Sequence, residues 1–543
     1  MQADQLLDLL GDVKEEHVLD ADEPPKKNRH FWKWAALAAC FVLVISIGAG
    51  LLRMLPIGNA SAGGAGHEEG SVFMSYAGPV FPLTLKEENA AVSASRDVTL
   101  DFSPWEPVWI SNEEEAASRT DLTDEERQQV LDDYNEWFPE GGYYEYSDDI
   151  LVTDAYTLTN SSDEAQTVSV LYPFASSLGS LQTLRPTLAQ DGAELETTLH
   201  AGSYSGGFEG AWGSGNEAEG SVNLRQINSW EGYAALLEDG TYLKRAMGEF
   251  PDFSSIPVTI YTFTDPWGPE EDEKAGIPNP TIRVMFDLDY SKTCVLSYGF
   301  NAGLWDEEKG VMGKGFSIPQ KNETRYGESY YLIVIGDDIR NLTTQGYVTG
   351  GWDTKNTIDA GVTVTRSEGD LESSLRMLAE LDEQSWAVPE TQSPEWFELY
   401  FGLLKEHLLQ YGVLSSGAVE RYEGGSFEAM HDVSSVARVF WLEAEITIPA
   451  NGSVTLEANG RKEASFDFSC AGTDNKGVKG FDLVTKISSN LQFTAQNAHL
   501  IDRGLIDIVR QNFGFDLENG VYDVALDMDT PHYYLEVRRI VEN

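Results

Sequence analysis

Two stretches of this 543-residue chain carry residue types that can do chemistry. The first is the loop TDPWGPEEDEKAG, where Asp265, Glu270, Glu271, Asp272 and Glu273 crowd carboxylates around Trp267. Hard oxygen donors at close spacing suit Ca2+. A solvated acidic turn has the same composition and is commoner, so no cofactor is expected and Ca2+ is the ion to test. The second is YLIVIGDDI followed by QGYVTGGWD. Asp337 and Asp338 end an apolar strand, and Gly350-Gly351 turns the chain before Trp352 and Asp353. Aromatic rings beside carboxylates can bind a sugar, and a pair of carboxylates is what glycoside hydrolysis requires. Turn chemistry accounts for the same residues, and no enzyme is expected.

Other catalytic patterns are missing in informative ways. His67 is followed by Glu68, Glu69 and then Gly70, so the metalloprotease spacing fails, and no two of the eight histidines stand close in sequence. GSYSGG has Tyr204 where a nucleophile elbow needs serine. GVMGKG lacks the first glycine of a phosphate loop at residue 308, and Gly315 follows Lys314 where Ser or Thr must hold the metal. Asp527-Met528-Asp529 lacks the glycine and distal glutamate of a calcium-binding EF-hand loop.

The elements that must carry these residues are read from periodicity and charge. After residue 53 the chain holds 81 acidic and 31 basic residues, a net charge of −50. Such a surface repels phosphate backbones and excludes nucleic acid as a partner. Cationic ligands, divalent ions or plain solubility fit it. Of three cysteines, Cys294 and Cys470 fall in β-like sequence, read as free buried thiols, and no C-x-x-C supports a zinc site.

Alternation at period two dominates from Ser71 onward. Ile150, Val152, Tyr156 and Leu158 share one parity; after a turn at 160–163, Val168 and Val170 share another, which reads as an adjacent antiparallel pair. Ile282, Val284, Phe286 and Leu288 are expected inward, with Arg283, Asp287 and Asp289 outward. SYYLIVIGDD is apolar on both parities and reads as a central strand. Thr123 and Glu126 form a capping-box pattern, Asp370 precedes a helix bearing Leu371, Leu375 and Leu378, and Ser393-Pro394 starts another that ends at Gly412. Asn451-Gly452 is a turn pair between two further strands.

Residues 34–53 form an apolar run with no charge from Trp34 to Leu52, long enough to span a bilayer core. Lys26, Lys27, Arg29 and Lys33 precede it and only Arg53 closely follows, which places the N-terminus in the cytoplasm and the rest outside the cell. A small-residue site at Ala60-Ser61-Ala62 resembles a cleavage signal, but the length of the run and its long acidic prefix favour an uncleaved anchor. Leu6, Leu10 and Val13 line one face of a short acidic helix within residues 1–23 that can meet a cytoplasmic protein partner. Residues 54–70 make a flexible linker rich in Gly, Ala and Ser.

The succession LLDLLGDVKEEHVLDADEPPKK and WKWAALAACFVLV, over residues 5–45, resembles the N-termini of membrane-anchored exported proteins of Clostridia-type Firmicutes with an anti-sigma-factor-like N-terminal segment. MSYAGPVFPLT and YVTGGWDTK resemble parts of uncharacterised exported proteins of the same bacteria. The resemblance implies a variable exported domain and coupling to a cytoplasmic regulator such as a sigma factor. Residues 1–33 contain no cysteine, unlike zinc-type anti-sigma domains.

The expectation is therefore a mainly β chain: a cytoplasmic segment (1–33), a transmembrane helix (34–53), a linker (54–70), a β-rich ectodomain (71–365), a helical segment (366–415) and a second antiparallel β-sandwich (416–543). Its expected function is extracytoplasmic binding or sensing. An envelope structural or adhesion role and a surface carbohydrate hydrolase are the alternatives.

Overall fold

The computed structural model describes residues 77–543, apart from 121, 205–233, 236, 239, 270–278, 319–328, 387–392, 418–422, 436, 468–475 and 541–543. The expected span, its cytoplasmic prefix and the linker lie outside these residues. Among the described residues no helix is long and apolar enough to cross a membrane. What is described is mainly β, as the alternation implies.

The first body is built on a long seven-stranded sheet whose central members are Gln492–Ile501, Val92–Asp101, Ile150–Asn160 and Ser453–Lys462. Pairing is antiparallel except between Val92–Asp101 and Gln492–Ile501. One face of this sheet is apolar at both ends, and two smaller sheets cover it. At one end lies a facing sheet of Thr84–Leu85, Gln166–Ser176, Arg438–Ile448 and Thr198–Tyr204. At the other lies an end sheet of Phe466–Asp467, Val478–Val484, His532–Arg539 and Ile506–Gln511. Within the single strand Val92–Asp101, Val92 and Ala94 join the core under the facing sheet, while Val98 and Leu100 join the core under the end sheet.

Arg96 has the same parity and falls between the two cores, with 0% exposure. A buried guanidinium survives only if its charge and every donor are met. Its Nε and Nη2 bind the two carboxylate oxygens of Asp154 at 2.8 Å each. Nη2 also donates to the Phe81 carbonyl (2.9 Å), and Nη1 donates to the Val484 carbonyl (2.8 Å) and to Gln496 Oε1 (3.4 Å). The hydroxyls of Tyr156 and Tyr172 donate to Asp154 Oδ2 at 2.7 and 3.4 Å. Burial works against the Arg96 charge, but Asp154 outweighs it and holds the guanidinium above its ordinary pKa.

The expected pairing of residues 150–160 with 166–176 is not what forms. The two strands cross from the long sheet to the facing sheet, and so do Arg438–Ile448 and Ser453–Lys462. Each connection is an arch, and the two arches stack: Asn160 Nδ2 donates to the carbonyls of Ile448 and Pro449, and the Asn451 amide donates to Ser162. Parity says which side chains are buried. It does not say whether the next strand lies beside or opposite, because both arrangements bury the same residues. Gln166–Ser176 is also buried on its outer side around Leu171, where Phe81, Tyr242 and Trp441 form a further core.

Residues 205–437 are an insertion between Thr198–Tyr204 and Arg438–Ile448, two strands that pair directly. The expected divisions at 365 and 416 are therefore not followed by the sheets, since residues 84–204 and 438–539 share the long sheet and the facing sheet. The insertion holds a true sandwich. One sheet is ordered Thr293–Tyr298, Ser329–Gly336, Pro257–Trp267, Gly361–Asp370. The other is ordered Ala302–Asp306, Val311–Ser317, Thr281–Asp287, Arg340–Tyr347, Thr357–Ile358. Ser329–Gly336 is central, as its two apolar parities imply. Ile282, Val284, Phe286 and Leu288 are buried as expected, but so is Arg283, at 5% exposure, beneath the rings of Tyr347 (3.8 Å) and Trp352 (5.1 Å). Its assignment to solvent fails because Tyr347, at the end of the adjacent strand, and Trp352, in the turn after it, cover that face.

Two helices join the bodies. Asp370 accepts from the Ser373 amide at the start of Leu371–Trp386, and Ser393 accepts from Trp396 at the start of Pro394–Gln410. Their apolar faces, including Leu375, Leu378, Leu404 and Leu408, lie in one continuous core with Ile333 of the insertion and Phe440 and Leu442 of the facing sheet.

Candidate binding surface

The residues singled out by sequence do not converge. Asp265 lies within the strand Pro257–Trp267, two residues before its end, in a left-handed conformation with φ 51° at a β-bulge. Glu270, Glu271, Asp272 and Glu273 lie outside the described residues. Among the described residues no group of three or more His, Cys, Asp or Glu side chains is placed to hold a metal. Asp338 accepts from Tyr261 Oη at 3.0 Å and from Arg366 Nε at 3.0 Å, so its carboxylate closes the open end of the inserted sandwich. Asp337 makes its contacts through its backbone, its carbonyl accepting from Thr293 Oγ1 at 2.8 Å. Trp352 instead belongs to the opposite sheet, stacked on Arg283 and against Gly313, with Asp353 in the turn beside it. Lys314 of GVMGKG sits mid-strand in Val311–Ser317 and donates to the Gly424 carbonyl, so no phosphate loop exists there. Burial lowers its pKa to about 8. Cys294 is a free, half-buried thiol, its pKa raised by that burial; Cys470 lies outside the described residues.

The most distinctive surface is one that pattern reading passes over. Between two central strands of the long sheet the chain leaves at Trp105 and returns at Ile150. The excursion carries a two-stranded ribbon, Val108–Ser111 with Gly142–Glu145, and the helices Asn112–Ser118 and Asp124–Trp137. Both helices start with full capping boxes, Ser111 with Glu114 and Thr123 with Glu126. Asn112 ties them together, donating to Asn135 Oδ1 at 2.9 Å and to the Phe138 carbonyl at 3.0 Å. The longer helix buries none of its residues.

Register fixes what each ribbon face presents. Ile110 pairs with Tyr143, and Tyr143 meets Phe138 at 4.6 Å and Tyr134 at 6.4 Å, so this face is closed by the helix. Trp109 pairs with Tyr144 on the other face, their rings T-shaped at 4.9 Å. The indole lies against Gly142, where a Cβ would come within 2.7 Å of it. Trp109 remains 41% exposed, and Tyr144 and Tyr146 55% each. At the base of the ribbon the Arg539 guanidinium stacks between Trp105 (4.7 Å) and Tyr146 (5.3 Å) and donates to the Ser147 carbonyl at 2.6 Å. Trp305 on Gly303 and Trp267 on Gly361 show that covering a strand glycine is a recurrent role for tryptophan here. The ribbon differs in pairing its indole with a second exposed ring inside a strongly acidic segment. That density of Trp and Tyr among acids, in EPVWIS and GGYYEYSDD, was the available signal.

A second concavity, of about 580 Å³, opens beside Tyr242, Trp441, Ser488 and Asp529. The Trp441 indole N–H is buried there with no acceptor among the described residues. Comparison of the chain with protein families, with characterised proteins and with solved structures finds no match.

Proposed function

We propose that this chain is an extracytoplasmic binding or sensing protein, held by a single span at residues 34–53 with its N-terminus in the cytoplasm, and that it engages its target through the Trp109–Tyr144 face. The supporting observation is that face itself. A ribbon stiffened from behind by Tyr134, Phe138 and Tyr143 holds two rings open to solvent, and rigid aromatic side chains give large contact area at small entropic cost. An adhesion role would use the same face; coupling of residues 1–23 to a cytoplasmic regulator separates the two, and a pull-down with residues 1–33 tests it.

The test has two arms. Protease shaving of intact cells is expected to leave a protected fragment of residues 1 to about 55, the length set by the span; digestion of the acidic prefix instead would overturn the orientation. Sedimentation of the chain with purified envelope is expected to fall on replacing Trp109 and Tyr144 by alanine. Unchanged sedimentation would overturn the use of this face.

A further inference from the structure

We infer that the partner of the Trp109–Tyr144 face is an arginine-rich polypeptide segment; this rests on the binding reading above and names its ligand class. Three observations lead there. Residues 106–149 contain fifteen acidic and two basic residues, so a cation is drawn to this excursion more strongly than to a surface of average charge. Glu145, the last residue of its ribbon strand and next in sequence to Tyr144, and Glu106, two residues before the other strand, add to that charge near the rings. The open rings discriminate among cations, because a guanidinium stacks flat on an indole or phenol whereas an ammonium stays hydrated.

The third observation is that the chain's own arginine already uses this chemistry at the foot of the ribbon. Arg539 lies between Trp105 and Tyr146 and donates to the Ser147 carbonyl and, at 3.3 Å, to Asp148. Arg283 repeats the arrangement between Tyr347 and Trp352. Above Arg539 the rings of Tyr144 and Trp109 are open, with the Glu145 carboxylate beside them on the ribbon's other face, and among the described residues no cation of this chain stacks on them. Phosphate and uronate polymers are repelled by the same charge. A neutral glycan gains from the rings and from hydrogen bonds but draws no charge attraction from the fifteen acids.

The experiment measures binding of fluorescein-labelled oligo-arginine and oligo-lysine peptides, about nine residues each, to the full chain by anisotropy. Oligo-arginine is expected to bind about tenfold more tightly than oligo-lysine, and both to weaken as salt rises from about 20 to about 150 mM. In W109A/Y144A the tenfold preference is expected to vanish while the salt-sensitive binding common to both peptides remains, with an unchanged far-ultraviolet dichroism spectrum reporting that the protein is folded. In E106Q/E145Q both peptides are expected to weaken together. Equal affinity for the two peptides, or a preference that survives W109A/Y144A, overturns the inference. Binding of neutral hexasaccharides of glucose or N-acetylglucosamine that is lost in W109A/Y144A, with no arginine preference, also overturns it but leaves the binding face standing. Envelope sedimentation unaffected by W109A/Y144A is the separate result that removes the face.

Discussion

Replacing Asp154 by alanine tests whether the long sheet is held by the charge pair at its centre. The substitution leaves Arg96 charged at 0% exposure with two of its five N–H donors unmatched, and it strips Tyr156 and Tyr172 of their acceptor. Breaking a buried pair from one side costs about 3–5 kcal/mol. The reverse substitution, Arg96→Met, strands the carboxylate and the Phe81 and Val484 carbonyls at similar cost. In Arg96→Met with Asp154→Leu the stranded charges disappear, so the double variant is expected to recover at least about 2 kcal/mol relative to the sum of the singles. Urea unfolding followed by tryptophan fluorescence reads this as a shift in midpoint at constant slope. The residues split across 84–204 and 438–539 should move, and any separate transition of the insertion should not. A cost below about 1 kcal/mol for Asp154→Ala, or single costs that simply add, would refute the reasoning.

Gly142→Ala places a methyl 2.3 Å from the Ile110 carbonyl and 2.7 Å from the Trp109 ring, so the ribbon is expected to part at a cost of about 1–3 kcal/mol; loss of Trp–Tyr near-ultraviolet dichroism without global unfolding checks it. Lys314, with its pKa lowered to about 8, is less protonated in the native than in the unfolded chain above that pH. Stability is therefore expected to rise from about pH 8 to about pH 10 by up to about 3 kcal/mol. Beyond that, Tyr156 and Tyr172, held protonated by burial, reverse the slope; Lys462, its pKa likewise lowered to about 8 by burial, adds a rise of similar size, so Lys314→Met should remove about half of the total in pH-dependent urea midpoints. Asp338→Asn breaks a partly exposed pair with Arg366, so a loss of no more than about 1 kcal/mol is expected in thermal unfolding, and a larger one would mean the carboxylate does more than close the sandwich.

Local signals were legible in the sequence where local physics decides. The helix starts at Thr123, Asp370 and Ser393 follow from side chains that reach their own backbone, and the buried parity of 150–158 and 282–288 follows from the pleat. What escaped depends on partners distant in sequence. The arches, the burial of Arg283 under Tyr347 and Trp352, and the pairing of residues before 204 with residues after 438 are settled by packing that no short window contains. Asp338 and Trp352 are close in sequence, yet the chain crosses to the other sheet at Asp338 and the strand Arg340–Tyr347 then runs along that sheet before Trp352. The ribbon escapes a short window because its two strands are only four residues each and two helices separate them.

The interrupted construction of the first body sets an order of events as the chain is made. Val92–Asp101 and Ile150–Asn160 can pair as soon as both have emerged. Gln166–Ser176 has its long partner, Arg438–Ile448, on the far side of 261 intervening residues. At roughly 5–20 residues per second that is a wait of about 10–50 s. Through that interval an apolar sheet face stands open, and the insertion has time to complete its own sandwich first. Assembly therefore runs from the middle of the sequence outward, and the earliest strands synthesised are among the last to be enclosed, which makes a holding chaperone most useful to residues 84–204.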